Sequence, residues 1–158
     1  MDIAEEVGRL LIEKKLTVST AESCTGGLLS SKLTDVSGSS AYITLNIVTY
    51  ANEAKMQLLG VNEDLLKTKG AVCEECAYQM AKGLFELTKS DICVSTTGIA
   101  GPTGGSADKP VGLMYSCIYT PKEYKIYKII KPSDTPRIEM KELFAEEVLK
   151  NIKTFIKN

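Results

Sequence analysis

With 158 residues, 44% of them hydrophobic and 25% charged, the chain has enough apolar surface for one sizeable core, and residues 1–158 read as a single domain. Its 19 basic and 20 acidic residues nearly cancel, which argues against a nucleic-acid or polyanion surface. It contains no histidine, which excludes the Ser-His-Asp triad, the Cys-His pair and any zinc site built with histidine, and leaves lysine, tyrosine and carboxylates as proton acceptors.

The first residues carry Asp2, Glu5 and Glu6 in place of a basic region and an apolar stretch, and no segment approaches the length of a membrane span. A cytoplasmic chain without a membrane partner is expected. Ile3, Val7, Leu10 and Leu11 recur at helical spacing and predict a helix over Ile3 to Lys14. Leu16 to Ala21 reads as a short buried strand, and Thr20-Ala-Glu-Ser-Cys-Thr-Gly-Gly27 as a small-residue turn leaving it, with Gly26-Gly27 opening a helix through Leu33. After the turn-rich Asp35 to Ser40, Ala41 to Tyr50 is β-rich and delivers Tyr50 to its carboxyl end. Asn52 is placed to cap a helix running through Lys55 to Leu59, Asn62 to cap another over Glu63 to Lys67, and Glu74 to Leu87 is amphipathic. Ile92 to Thr97 is a further apolar run, followed by the glycine-rich Gly98 to Gly105. Val111 to Tyr119 and Tyr124 to Lys131 suggest a strand pair joined at Pro121, and Ser133 or Thr135 starts a terminal helix to about Ile156.

Strands alternating with helices call for a sheet covered on both faces, and the late strand pair makes that sheet mixed. The expected fold is a three-layer α/β/α sandwich with a mixed, mostly parallel sheet. Met140, Leu143 and Phe144 read as the core stripe of the last helix, and the lysines of Tyr124 to Lys128 as the wet face of a strand. Five cysteines, an odd count without framework spacing, point to reduced thiols. Cys73-Glu-Glu-Cys76 lacks two further zinc ligands and reads as two helical residues, one cap-like and one buried.

In such sheets ligands collect beyond the carboxyl ends of the strands, where Ser23, Tyr50 and the Gly98–Gly105 loop converge. Ser23 is poised as a nucleophile there, or as a helix cap. The glycine loop suits a phosphate or an oxyanion without being a Walker sequence, or is a plain strand connection. Lys55 and Tyr50, taken singly, read as a solvated helix residue and a core aromatic. Cys24, beside Ser23 at a helix start, is a rival nucleophile or a small packing residue.

Four segments in order change the weight of these alternatives: Thr20–Gly27, Val48-Thr-Tyr-Ala-Asn-Glu-Ala-Lys55, Gly98-Ile-Ala-Gly-Pro-Thr-Gly-Gly105 and Lys109-Pro-Val-Gly112. Together they resemble the CinA (competence-damage-inducible protein A) C-terminal domain family over almost the whole chain. The resemblance implies a nicotinamide mononucleotide amidohydrolase that releases nicotinate mononucleotide and ammonia, with no metal or organic cofactor, acting as a homo-oligomer. It implies Ser23 as nucleophile, Lys55 as its base and Tyr50 as a hydroxyl that positions or relays the proton. Backbone amides around Cys24, Thr25 and Gly26 would hold the oxyanion, and Gly101, Thr103, Gly104, Gly105, Ser106 and Arg137 the phosphate. For Lys55 to act near neutrality its pKa must fall from about 10.4 to roughly 7–8, so a dry pocket belongs to the expectation. The chain departs from many relatives at Leu45 and Asn46, where they carry glycine, and at Ala51 and Cys73, where they carry serine.

Two other classes stay open: a nucleotide-binding or regulatory module that retains the pocket without turnover, and an assembly protein using apolar residues of the last helix.

Overall fold

The computed structural model describes all 158 residues. Helix α1 (Ile3–Lys14) starts where Asp2 accepts the N–H of Glu5 and stops at Lys15, whose left-handed backbone turns the chain back. Leu16 then ties its N–H to Leu11 instead of entering the sheet, so β1 is Val18–Glu22, later than its apolar run suggests. Gly26 and Gly27, at φ of 60° and 100°, form a left-handed turn that most side chains would resist, and α2 is Leu28–Thr34. A short 3₁₀ turn at Ser39–Ala41 takes the start of the expected second strand, leaving β2 as Ile43–Val48.

Helix α3 (Asn52–Leu59) begins one residue earlier than a cap at Asn52 would allow: Ala51 holds the cap position and offers no side-chain acceptor. In α4 (Glu63–Thr68) Asn62 is the cap, accepting the N–H of Leu65, and α5 (Glu74–Thr88) is capped by the Cys73 thiol, which accepts the N–H of Cys76 at 3.4 Å. Cys73 and Cys76 thus take the cap and buried positions their spacing suggests. Strands β3 (Ile92–Gly98), β4 (Leu113–Tyr119) and β5 (Tyr124–Ile130) follow, and α6 (Arg137–Lys157) starts after Pro136, because Thr135 spends its hydroxyl and N–H on the Pro132 carbonyl.

The sheet order is β2-β1-β3-β4-β5. β1 lies between β2 and β3, parallel to both, whereas β4 runs antiparallel to β3 and β5, so four of the five strands point the same way. Alternation of side chains divides the core between the two faces. Val18, Val94, Met114 and Ile118 meet α1, α2 and α6 through Leu11, Leu33, Phe144 and Leu149. Ala21 and Cys93 meet α3, α4 and α5 through Leu59, Leu66, Met80 and Leu84. The result is the three-layer α/β/α arrangement.

Met140 and Phe144 are fully buried, as a core stripe requires, while Leu143 stays 38% exposed because it stands one residue off that stripe. Lys125 and Lys128 are both exposed, although a spacing of three puts them on opposite faces of β5, the edge strand of the sheet. All five cysteines are buried and free. No helix is long and apolar enough to cross a membrane.

Candidate active site

The parallel strands β1, β2 and β3 end at one side of the sheet, and their exits carry Ser23, Thr49-Tyr50 and Gly98 to a common place. Glu22, at the end of β1, is fully buried, and its carboxylate receives the Thr25 hydroxyl (2.6 Å) and the N–H groups of Gly27, Leu29 and Ser30. An internal anion therefore takes up the free amides at the start of α2. The Ser23 N–H is also engaged, by the carbonyl and hydroxyl of Thr96 on the neighbouring strand (3.1 and 3.2 Å), and that of Gly26 by the Ser23 carbonyl. The N–H groups of Cys24 and Thr25 make no hydrogen bond within the protein.

Lys55 is the fourth residue of α3, and helical side chains lean toward the amino terminus of their helix. Its stem runs back under the first turn, and Nζ donates to the carbonyls of Thr49 (2.8 Å) and Tyr50 (2.9 Å) and to Ser23 Oγ (3.0 Å). Lys55 is only 1% exposed, and no carboxylate pairs with it, so burial lowers its pKa from the ordinary lysine value. The neighbouring thiols do not oppose this at neutral pH: burial pushes Cys24 and Cys76 each up to about 12, which leaves them uncharged. The same burial removes Cys24 as a thiolate nucleophile.

Tyr50 is not a core aromatic; it is 59% exposed at the rim. Its hydroxyl accepts from Arg137 Nη2 at 3.0 Å, while Arg137 Nη1 donates to the Gly101 carbonyl at 2.7 Å. Arg137 thus links the end of β2 to the glycine loop from the first residue of α6.

Between these groups lies a cavity of about 260 Å³. Of the residues expected at a site, Ser23, Cys24, Tyr50, Lys55, Gly101, Thr103, Gly104 and Arg137 line it. Thr25, Gly26, Gly105 and Ser106 do not. Thr25 is buried beneath the turn on Glu22. Gly26 lies near Lys141, Gly105 packs on the Val111 backbone, and Ser106 accepts the N–H of Lys109 to close its own turn. Asn52, expected only as a helix cap, and Ala71, Val72 and Thr97, not expected at the site, also line the wall. Asn52 lies within the Val48–Lys55 motif and Thr97 adjoins Gly98. Ala71 and Val72 sit in the α4–α5 connection and carry no signal of their own.

No carboxylate lines the cavity, whose charged side chains are Lys55 and Arg137. Gly101 and Gly104 adopt left-handed backbone (φ 79° and 91°), and the N–H groups of Gly101, Thr103 and Gly104 bond to no protein acceptor. This lining suits an anionic group better than a cationic one. A larger open groove of about 520 Å³ along α1 is lined by Glu5, Glu13 and Asp35 and contains none of the motif residues.

Fold and pocket together define an α/β domain with a polar cavity beyond the carboxyl ends of its parallel strands and a buried serine–lysine contact on its floor. The model of the CinA C-terminal domain family matches residues 1–156, and the chain belongs to that family. A CinA-like protein of Chlorobium limicola is 47% identical over 159 aligned residues, covering 98% of this chain and 37% of the relative. A putative competence-damage inducible protein of Clostridium beijerinckii is 47% identical over 140 residues, covering 89% of this chain and 34% of the relative. The chain thus spans about a third of the length of these relatives. Among solved structures, the competence/damage inducible protein CihA from Agrobacterium tumefaciens superimposes with a TM-score of 0.92 at 37% identity, covering 100% of this chain and 98% of that one. A CinA superfamily protein from Klebsiella pneumoniae does so with a TM-score of 0.93 at 26% identity, covering 98% of this chain and 96% of that one.

Proposed function

We propose that this domain is a nicotinamide mononucleotide amidohydrolase working through a serine–lysine pair. The observation that carries the reading is the 3.0 Å contact between the buried Lys55 Nζ and Ser23 Oγ. Two backbone carbonyls hold Nζ from the other side, so a neutral amine keeps both N–H groups bonded while its lone pair faces the serine hydroxyl. Loss of hydration favours that neutral form by lowering the Lys55 pKa.

Lys55 then takes the Ser23 proton as Oγ attacks the carboxamide carbon. The negative oxygen that develops needs a donor that is unspent and lines the cavity, which leaves the N–H of Cys24, removes those of Ser23 and Gly26, and sets aside that of Thr25, which is buried away from the cavity. Such a donor is worth on the order of 3 kcal/mol to the transition state. The Lys55 ammonium returns its proton to the amide nitrogen as the C–N bond breaks, releasing ammonia, and a water activated by the same amine clears the acyl-serine. The phosphate is assigned to the N–H groups of Gly101, Thr103 and Gly104, the Thr103 hydroxyl and Arg137.

Binding without turnover is the competing reading, because three acceptors around Nζ also suit a protonated lysine. Ammonia and nicotinate mononucleotide release, measured from nicotinamide mononucleotide and from free nicotinamide with wild type, Ser23→Ala and Lys55→Ala, separates the two. Turnover of the mononucleotide that is lost by about 10³-fold or more in both variants is expected. Binding of the mononucleotide by an inactive wild type would favour the regulatory module.

A further inference from the structure

Three side chains outside the reacting pair form one buried line that ends on the backbone of Ser23. Thr25 Oγ1 donates to Glu22 Oε1 at 2.6 Å and lies 2.9 Å from Thr96 Oγ1, which lies 3.2 Å from the Ser23 backbone nitrogen. Glu22, Thr25 and Thr96 are all fully buried. The direction of every bond in this line follows from counting protons. The carboxylate only accepts, and three of its four contacts are backbone N–H groups, which only donate. Thr25 has one hydroxyl proton and gives it to Glu22. The Thr25–Thr96 contact must therefore be filled by the Thr96 proton, and Thr96 Oγ1 is left with lone pairs alone to offer the Ser23 N–H.

We infer that Glu22, Thr25 and Thr96 are positioning residues: an ordered chain, Ser23 N–H to Thr96 to Thr25 to Glu22, that fixes the Ser23 backbone so that its Oγ stays on Lys55. The inference rests on the serine–lysine reading. It accounts for a carboxylate at the end of a fully buried strand, since Glu22 holds the start of α2 and the nucleophile turn with the same two oxygens. It also separates the amides: those of Ser23, Gly27, Leu29 and Ser30 are consumed by the support, while that of Cys24, which lines the cavity, remains for the reaction. Thr25 acts here through its side chain beneath the turn, independently of its N–H.

Thr25→Val keeps the shape and removes the link; Thr25→Ser keeps the link. Both are compared with wild type for steady-state turnover of nicotinamide mononucleotide, for the rate at which a fluorophosphonate probe labels Ser23, and for Tm. Thr96→Val is carried beside them in case Thr25→Val does not fold. Thr25→Val or Thr96→Val should lower kcat and the labelling rate roughly 10- to 100-fold, the scale of a small misplacement of a reacting group, with KM little changed. Thr25→Ser should keep most of both rates. Wild-type rates in the valine variants, or an equal loss in Thr25→Ser, would overturn the chain. A wild type that is neither labelled at Ser23 nor active would instead overturn the serine–lysine reading on which it rests.

Discussion

Lys55 is held by the backbone carbonyl of Tyr50, at 2.9 Å, and not by the Tyr50 phenol, which is turned outward to Arg137. The amine is positioned by main chain that any residue at 50 could supply, while the tyrosine side chain belongs to the rim. Tyr50→Phe should therefore keep kcat within about threefold of wild type, the size of effect expected for one exposed hydrogen bond. A large fall in kcat at constant KM would restore the phenol to the proton path.

Arg137 bridges Tyr50 and Gly101 at the mouth of a cavity without carboxylates. Arg137→Ala should raise KM for nicotinamide mononucleotide about tenfold or more, the loss of one charge-assisted contact, and leave kcat nearly unchanged. The effect should vanish for amide substrates without a phosphate. An equal change for both kinds of substrate would remove Arg137 from phosphate binding.

Burial lowers the Lys55 pKa in the folded chain, whereas the unfolded chain titrates at about 10.4. Activity should rise with pH through the lowered folded value, because only the neutral amine accepts the Ser23 proton. Between the two values the unfolded state binds more protons, so the stability of wild type relative to Lys55→Met should rise with pH in that window and stay flat below it. Denaturation midpoints of the two proteins from pH 6 to pH 10.5 test this; a constant difference would mean that Lys55 is not perturbed.

Lys55→Arg replaces a base by a group that stays charged at any working pH. Turnover should fall about 10²-fold or more, within the range general-base catalysis contributes. Substantial activity in this variant would exclude Lys55 as the proton acceptor.

Ala51 stands at the cap of α3 in extended backbone with nothing to offer the free amides. The serine that the family resemblance places there would be such an acceptor. Ala51→Ser should stabilise the fold by about 0.5–1 kcal/mol, read as a rise in Tm, with kcat unaffected. No change in Tm would show that water already satisfies those amides.

Gly83, in the middle of α5, meets the end of α3 so closely that a Cβ would lie 1.9 Å from the Leu59 carbonyl oxygen. Gly83→Ala must push α3 away, and α3 carries Lys55. Stability should fall by about 1–3 kcal/mol, the scale of overpacking, and turnover should fall with it. Wild-type activity would show that α3 yields at Leu59 without moving Lys55 off Ser23.

Much of the architecture was legible because it depends on local patterning. The helical period of Ile3, Val7, Leu10 and Leu11 gave α1, and the apolar run Ile92 to Thr97 gave most of β3. The late strand pair gave the reversal that makes the sheet mixed. Boundaries shifted where a neighbouring backbone group competed: Leu16 tied itself to α1, and Gly26-Gly27 took left-handed turns ahead of α2. The motifs singled out Ser23, Tyr50, Lys55 and Gly101, the phosphate expectation added Arg137 from outside them, and all five share one cavity.

What lay beyond the sequence was the state of each group once gathered. Lys55 is an ordinary helix lysine by composition and becomes a desolvated amine only because β1, β2 and α3 close around it. Glu22 is one more acid until four donors converge on it from residues 25 to 30. Which amides remain free at the nucleophile depends on a threonine 73 residues away in the neighbouring strand. Residue type and period are properties of the chain and fix the elements. Burial, proton direction and unspent donors arise between segments distant in sequence, so only the tertiary structure decides them.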